Sequence, residues 1–354
     1  MTRKRWAILS FVVLLLCAFG PSPTTEQAVA PLDLRAFVKP DLRISTATVP
    51  LGEVIAQLPN SAAWTEFLAN QDPLTAAFID PRSGTAASIV MVAPLIPGTG
   101  KDNQLTIQTL ASTLGRPIEA VTPEVIAEIV RAYVLKYGEV LGIATEQLGP
   151  FKAVPVTDGI WQLSVPQEVG GIPVRYGRLV ATLNHGNLVL LGTETWGNAQ
   201  IDTLPAISSE DAIRIGFEYV GGRQPSDAIW KEASLEIFPV TPPGRESAYP
   251  SGATIGQGYH HRLVWVFGLE RAAEIGLWEI AVDALTSEVV AMHDQNSYQN
   301  RRITGGVYPA TNTDTCATDP PQCGVMESRY PMPWTDYNTN LHRCSVSDVD
   351  LIEG

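Results

Sequence analysis

The stretch GGIPVRYGRLVATLNHGNLVLLG, Gly170 to Gly192, constrains the fold more than any other. Two runs rich in aliphatic residues flank Asn184-His185-Gly186-Asn187, a turn composition, so the segment predicts two strands joined as a hairpin. It extends at both ends into strand-like, glycine-punctuated sequence, from Asp158 to Gly197. The consecutive apolar residues Leu179-Val180 and Leu188 to Leu191 predict strands covered on both faces. His185, beside Gly186, reads as a polar turn residue with no partner histidine at ligand spacing.

A helix precedes this sheet in TPEVIAEIVRAYVLKYGEVLG. Thr122 is a good N-cap, Pro123 suits the first helical position, and Glu124 favours the positive end of the dipole. Val125, Ile129, Tyr133, Tyr137 and Val140 recur at helical spacing, and Gly142 can close the end. The broad apolar face predicts a helix lying on a sheet. Upstream, LGEVIAQLP and AAWTEFLAN read as short helices, and FIDPRSGTAASIVMVAPLIPG as strands around the Asp80–Gly84 turn. Residues 21–45 are polar and proline-rich and predict a mobile lead-in.

The same order then repeats. SSEDAIRIGFEYVGG reads as a helix, with Ser208 and Asp211 as an approximate capping box and Gly221-Gly222 at its end. After an irregular stretch, HHRLVWVFGLE reads as one strand, and GLWEIAVDALTSEVVAMHD as two strands around Asp283–Ser287. A helix with an antiparallel sheet, met twice, predicts an α+β fold of two consecutive helix-plus-antiparallel-sheet domains and a short loop-rich tail. The expected boundaries are 1–30 for a signal peptide and lead-in, 31–204 and 205–300 for the two domains, and 301–354 for a Cys/Pro-rich tail.

The ends carry their own signals. MTRKRW followed by AILSFVVLLLCAF has the charged and apolar regions of a signal peptide and is short for a membrane span, so the chain is expected to be secreted or extracytoplasmic. Of the four cysteines, Cys17 lies in that leader. Cys316 and Cys323 bracket ATDPPQ, a loop suited to a local disulfide in an oxidising compartment. That leaves Cys344 odd, close to the last residue, Gly354, and predicts an incomplete C-terminal module. A net charge of -13 argues against a nucleic-acid partner.

Signatures of catalysis are missing from the sequence. No His-Glu-x-x-His places two zinc ligands on one helical face, and there is no G-x-S-x-G elbow, phosphate loop or dinucleotide fingerprint. His260-His261 sit in a strand, where neighbouring side chains point to opposite faces, a poor geometry for a shared metal. Glu279 and Asp283 are the carboxylates best spaced for a glycosidase-like pair, although Asp283 reads better as a turn residue accepting backbone N–H groups. Trp265 and Trp278 could form a sugar platform but are better read as core or sheet-edge residues. No catalytic, cofactor or metal residue is assigned.

Residues from roughly 60 to 200 resemble the fungalysin/thermolysin propeptide (FTP) domain, through IDPRSGTAASIV, the long helix and above all GIPVRYGRLVATLNHGNLVLLG. Residues from about 205 to 297 resemble a PepSY domain, with SSEDAIRIGFEYV as its helix and RLVWVFGLE and WEIAVDALTSEVVAMHDQN as its strands. That family has Asp-Ala-x-Thr-Gly at the last turn, where this chain has Ser287 in place of the glycine. The resemblance implies a protein that binds, chaperones or inhibits a metallopeptidase domain, in cis or in trans, or presents a C-terminal module, without chemistry of its own. The family continues into a zinc peptidase, whereas here a Cys/Pro-rich segment follows residue 300. The alternative is that the chain is the propeptide portion of a longer peptidase. An enzyme of another kind, such as a glycosidase, is the least favoured expectation.

Overall fold

The structure, a computed structural model, describes residues 36–44, 47–243, 255–272 and 276–295, with the backbone of short strands at 336–338 and 343–345. The expected leader, Cys17, Cys316, Cys323 and most of the tail lie outside the described residues. Cys344 falls in β14 (Arg343–Ser345), which pairs with β13 (Asp336–Asn338) so that Tyr337 lies opposite Cys344.

The first half contains β2 (Val49–Pro50), α1 (Leu51–Val54), α2 (Ser61–Ala69), β3 (Ala76–Ile79), β4 (Ala86–Pro94) and α3 (Ile107–Leu114). It continues with α4 (Pro123–Lys136), α5 (Gly138–Leu141), β5 (Lys152–Thr157), β6 (Ile160–Val169), β7 (Ile172–Asn184) and β8 (Asn187–Glu194). The expected helix over 123–141 is thus present but breaks at Tyr137. Its start is as the sequence predicts, with the Thr122 hydroxyl accepting from Val125 N, and Gly142 ends it in the left-handed region at φ 71°. Val125, Ile126, Ile129, Val130 and Val134 are buried against the sheet, each contributing about 1.5–3 kcal/mol of transfer free energy at most. Trp64, Phe67, Tyr137 and Tyr133 form a ladder of aromatic contacts with centroid separations of 5.9, 5.2 and 4.6 Å that joins α2 to the break.

The second half consists of α6 (Ser209–Tyr219), β9 (Asp227–Val240), β10 (His260–Arg271), β11 (Leu277–Asp283) and β12 (Val289–Asp294). Ser208 caps α6 through Asp211 N. Phe217 packs beneath it on Phe267, Leu269, Trp278, Ile280 and Met292. Two expectations change here. The stretch expected to be irregular holds β9, a 14-residue strand. The expected lead-in contributes β1 (Phe37–Val38), which pairs with β12, and a 3-10 turn at Pro40–Leu42 that packs on the same sheet.

Together β1 to β12 form one 12-stranded sheet, antiparallel throughout except where β7 meets β9. The junction has a local cause. Along β6 the partner of Pro166 is Arg178, but that of Glu168 is Pro173, so residues 174–177 bulge out of the β6–β7 ladder. Tyr176 adopts a left-handed φ of 64° within this bulge. Val174 is thereby released to pair with Ile237 of β9, the one parallel register in the sheet. A second tie joins the β3–β4 turn to residues 256–259: Gly256 N donates to Pro81 O at 3.1 Å, Gly258 N to Arg82 O at 2.7 Å, and the Tyr259 hydroxyl to Asp80 Oδ2 at 2.9 Å. Gly84 closes that turn at φ 74°, as its position predicts.

Candidate functional site

The expectation of strands buried on both faces is corrected by the structure. In β7, Leu179, Ala181 and Leu183 are buried in the helix-covered core, whereas Arg178 is exposed and Val180 and Thr182 are half-covered. The helices supply a layer on one side, and the apolar residues of the other side remain open. Register places Ala76, Val90, Leu190, Thr182, Gln162 and Val154 in one row across β3, β4, β8, β7, β6 and β5. Val90 is 48% exposed and Val154 46%, with Phe78 at 37% in the next row, so the open face is an apolar surface set among small polar groups.

The second half has a charged centre. Arg175, carried by the β7 bulge, donates from Nε to Glu236 at 2.7 Å and from Nη1 to Glu279 at 2.6 Å. Lys231 donates to the same two carboxylates, at 3.1 Å to Glu236 and 2.8 Å to Glu279. Arg175, Glu236, Lys231 and Glu279 thus close a ring of alternating charge, with the guanidinium stacked 4.4 Å from the Phe238 centroid. Burial alone pushes the Glu279 carboxyl up, but the bonds and charge of Arg175 and then Lys231 outweigh it and hold it below its ordinary value. His293 Nε2 lies 3.4 Å from Glu279, and burial lowers its pKa against the pull of that carboxylate.

Glu279 and Asp283 do share a face, as their spacing predicts, with Ala281 between them. Each has its own cation. Asp283 accepts from Arg262 at 3.0 Å, and its other oxygen accepts from Leu285 N and Thr286 N, the turn role expected of it. Arg262 also bonds Asp41 at 2.8 Å. A general acid needs a carboxyl raised toward neutrality, and Glu279 is moved the opposite way. The pair acts in structure as two ion-pair anchors.

The other expected residues are placed plainly. His185 stands in the β7–β8 turn at φ 48°, its N–H donating to Gly159 O at 2.7 Å. His260 is exposed and His261 is covered, on alternating sides of β10. Trp278 is buried under α6, and half-buried Trp265 donates from Nε1 to Ile207 O at 3.0 Å, so neither offers a platform. Among the described residues, no three His, Cys, Asp or Glu side chains converge as metal ligands. His342 lies outside the described residues.

Sequence reasoning missed Arg175, Lys231 and Glu236. A detectable signal was the arginine inside the apolar GIPVRYG run, since a charge in a buried strand requires a partner. Also missed was Asp80, whose carboxyl is pushed up by burial against the hydrogen bonds of Arg82 N and Tyr259.

No protein-family model and no curated protein matches the chain. Among solved structures it is similar to the Bacillus megaterium YpeB C-terminal domain, at 10% sequence identity and a TM-score of 0.27, over 69% of this chain and 97% of that one.

Proposed function

We propose that the protein is an exported, non-catalytic scaffold that works by contact with a protein partner, and that the partner is the catalytic domain of a thermolysin- or fungalysin-type zinc peptidase, which it chaperones or inhibits. The observation that carries this reading is the open face of the first half, with Phe78, Val90 and Val154 exposed and Leu190 half-buried between Val90 and Thr182 on regular strands. A preformed apolar face on regular strands loses little entropy on docking. Two further features support it. The four charges of the ring neutralise one another, and the FTP-like and PepSY-like motifs occur in propeptide order. The leader-like first residues support export, which detection of the protein in culture medium would check.

Titration of the protein against a thermolysin-type catalytic domain, read by calorimetry and by casein hydrolysis, tests the proposal. Saturable binding is expected, weakened about tenfold or more by Val90→Asp or Phe78→Asp, which change exposed side chains and leave the fold intact. Neither binding nor inhibition, or binding indifferent to both substitutions, overturns it. Hydrolysis of casein or a glycan by the protein alone overturns the non-catalytic part. In the alternative, the same contact is made in cis within a longer precursor, and an in-frame His-Glu-x-x-His beyond Gly354 in the gene identifies that case.

A further inference from the structure

His293 stands beside the charged ring. It lies on β12 directly opposite Glu279 of β11, with its side chain 18% exposed. Its Nε2 has two neighbours. The Gln295 side-chain nitrogen lies at 2.6 Å, so the neutral imidazole accepts from that amide. Glu279 Oε1 lies 3.4 Å away, and the same oxygen accepts from Arg175 Nη1 at 2.6 Å. Nδ1, on the other side of the imidazole, is buried and has no hydrogen-bond partner among the described residues. One imidazole nitrogen therefore sits within reach of the carboxylate oxygen through which the bulge arginine is held to β11.

Protonation changes what that nitrogen can do. An imidazolium has two N–H donors and no acceptor, so Nε2 can no longer accept from Gln295. The acceptor left within its reach is Glu279 Oε1. Around the new charge, Glu279 and Asp294 attract it, and Arg175 of β7 and Lys231 of β9 repel it. Glu236 of β9 completes the ring. In the same row β10 places Gly268, and β1 brings Phe37 and Val38 beside β12, all without charge. The ring is neutral beside a neutral His293 and faces one excess positive charge beside a protonated one. Lys231 uses the other oxygen of Glu279, Oε2, so the competition for Oε1 is with Arg175 alone. Burial first, then the two cations, holds the imidazole below its ordinary 6.5, so stability is complete above that value and falls as the medium turns acidic and the proton binds.

We propose that His293 is an acid switch on the junction of the two halves: the neutral imidazole leaves Glu279 Oε1 to Arg175, and the imidazolium takes that oxygen and loosens the arginine. Arg175 follows Val174, whose register with Ile237 is the one parallel contact of the sheet. The effect therefore falls on that contact. The helix-covered core of the first half, built on Leu179 and Leu183, is left as it was.

Native-state hydrogen exchange on the whole protein, corrected for the intrinsic rate at each pH, tests this. Between about pH 7 and about pH 5, protection of the amides at 174–175 and 237–238 is expected to fall about tenfold, while Leu179 and Leu183 keep theirs. His293→Gln, which does not titrate, is expected to abolish the fall. NMR titration of the native chain keeps the test decisive should that variant fail to fold: the His293 ring and the Arg175 Nε–H are expected to shift together, with one midpoint below 6.5. Unchanged protection at the junction overturns the proposal, as does a fall that persists in His293→Gln or extends equally to Leu179 and Leu183. Ring and guanidinium resonances that titrate apart overturn it as well.

Discussion

Replacing Glu279 with glutamine removes one negative charge from the ring while leaving its volume unchanged. Glu279 accepts from Arg175 at 2.6 Å and from Lys231 at 2.8 Å, and its side chain is 5% exposed. Glutamine keeps one acceptor oxygen and turns an amide NH₂ toward a cation, so one charge-assisted bond weakens and the other is lost. Breaking a buried ion pair from one side costs about 3–5 kcal/mol, because the remaining charge stays desolvated. At about 2–4 °C per kcal/mol for larger domains, the melting temperature should fall by roughly 6–20 °C. Arg178–Glu194, with side chains 52% and 48% exposed, gives an internal control, and Glu194→Gln should cost under about 1 kcal/mol. Urea denaturation followed by circular dichroism reads both. Arg175→Met should then cost less in the Glu279→Gln background than in the native chain, a coupling of about 2 kcal/mol. Equal costs for Glu279→Gln and Glu194→Gln, or additive costs for Arg175 and Glu279, would refute the ring as the main electrostatic link between the halves. The pH dependence has a definite sign. Glu279 is held below its ordinary 4.5, so its contribution is full above that value and is lost as pH falls through the lower folded pKa.

Further outcomes follow from local geometry. His261, pushed from 6.5 to about 4, is protonated more readily in the unfolded chain, so stability should be complete above about pH 6.5 and fall on the order of 3 kcal/mol toward pH 4. Urea midpoints across that range should flatten in His261→Gln, and an unchanged slope would contradict a buried neutral imidazole. Ser287 holds a left-handed φ of 65°, and Ser287→Gly should therefore stabilise the protein by about 0.5–1 kcal/mol, seen as a higher urea midpoint. Gly268 lies under Trp230, where an added Cβ would come within 2.2 Å of the indole and force it off the strand, so Gly268→Ala should destabilise by about 1–3 kcal/mol, read by thermal melting.

The elements legible in the sequence are those whose cause is local. Thr122 and Ser208 each cap a helix through a backbone N–H three residues on, and Asp283 folds its own turn through amides two and three residues away. The even spacing of Glu279 and Asp283 places them on one face for the same reason. Strand β9 was hidden because Trp230, Lys231, Glu232 and Glu236 dilute its alternation with charge. Lys231 and Glu236 fit a buried strand face once Arg175 and Glu279 are present to neutralise them, and Arg175 lies 104 residues from Glu279 in the chain, while Glu232 points to the exposed side. β1 escaped for a different reason: with only Phe37 and Val38, it is too short to show a period.

The hairpin motif itself shows where the local and the long-range meet. Its RLVATLNHGNLVLL portion builds the sheet of the first half, with Leu179, Leu183, Leu188 and Leu191 in the core. Its Val174-Arg175-Tyr176-Gly177 portion leaves the β6 ladder and makes the connection to the second half, through Val174 to Ile237 and through Arg175 to Glu236 and Glu279. An apolar strand continuing straight through this point would keep pairing with β6 and leave β9 without a neighbour on that edge. The bulge removes that competition, and the arginine within it then favours the second half, where its charge is met by Glu236 and Glu279. The open face of the first half and the charged centre of the second are therefore joined in one sheet through four residues that the sequence presents as part of an ordinary strand.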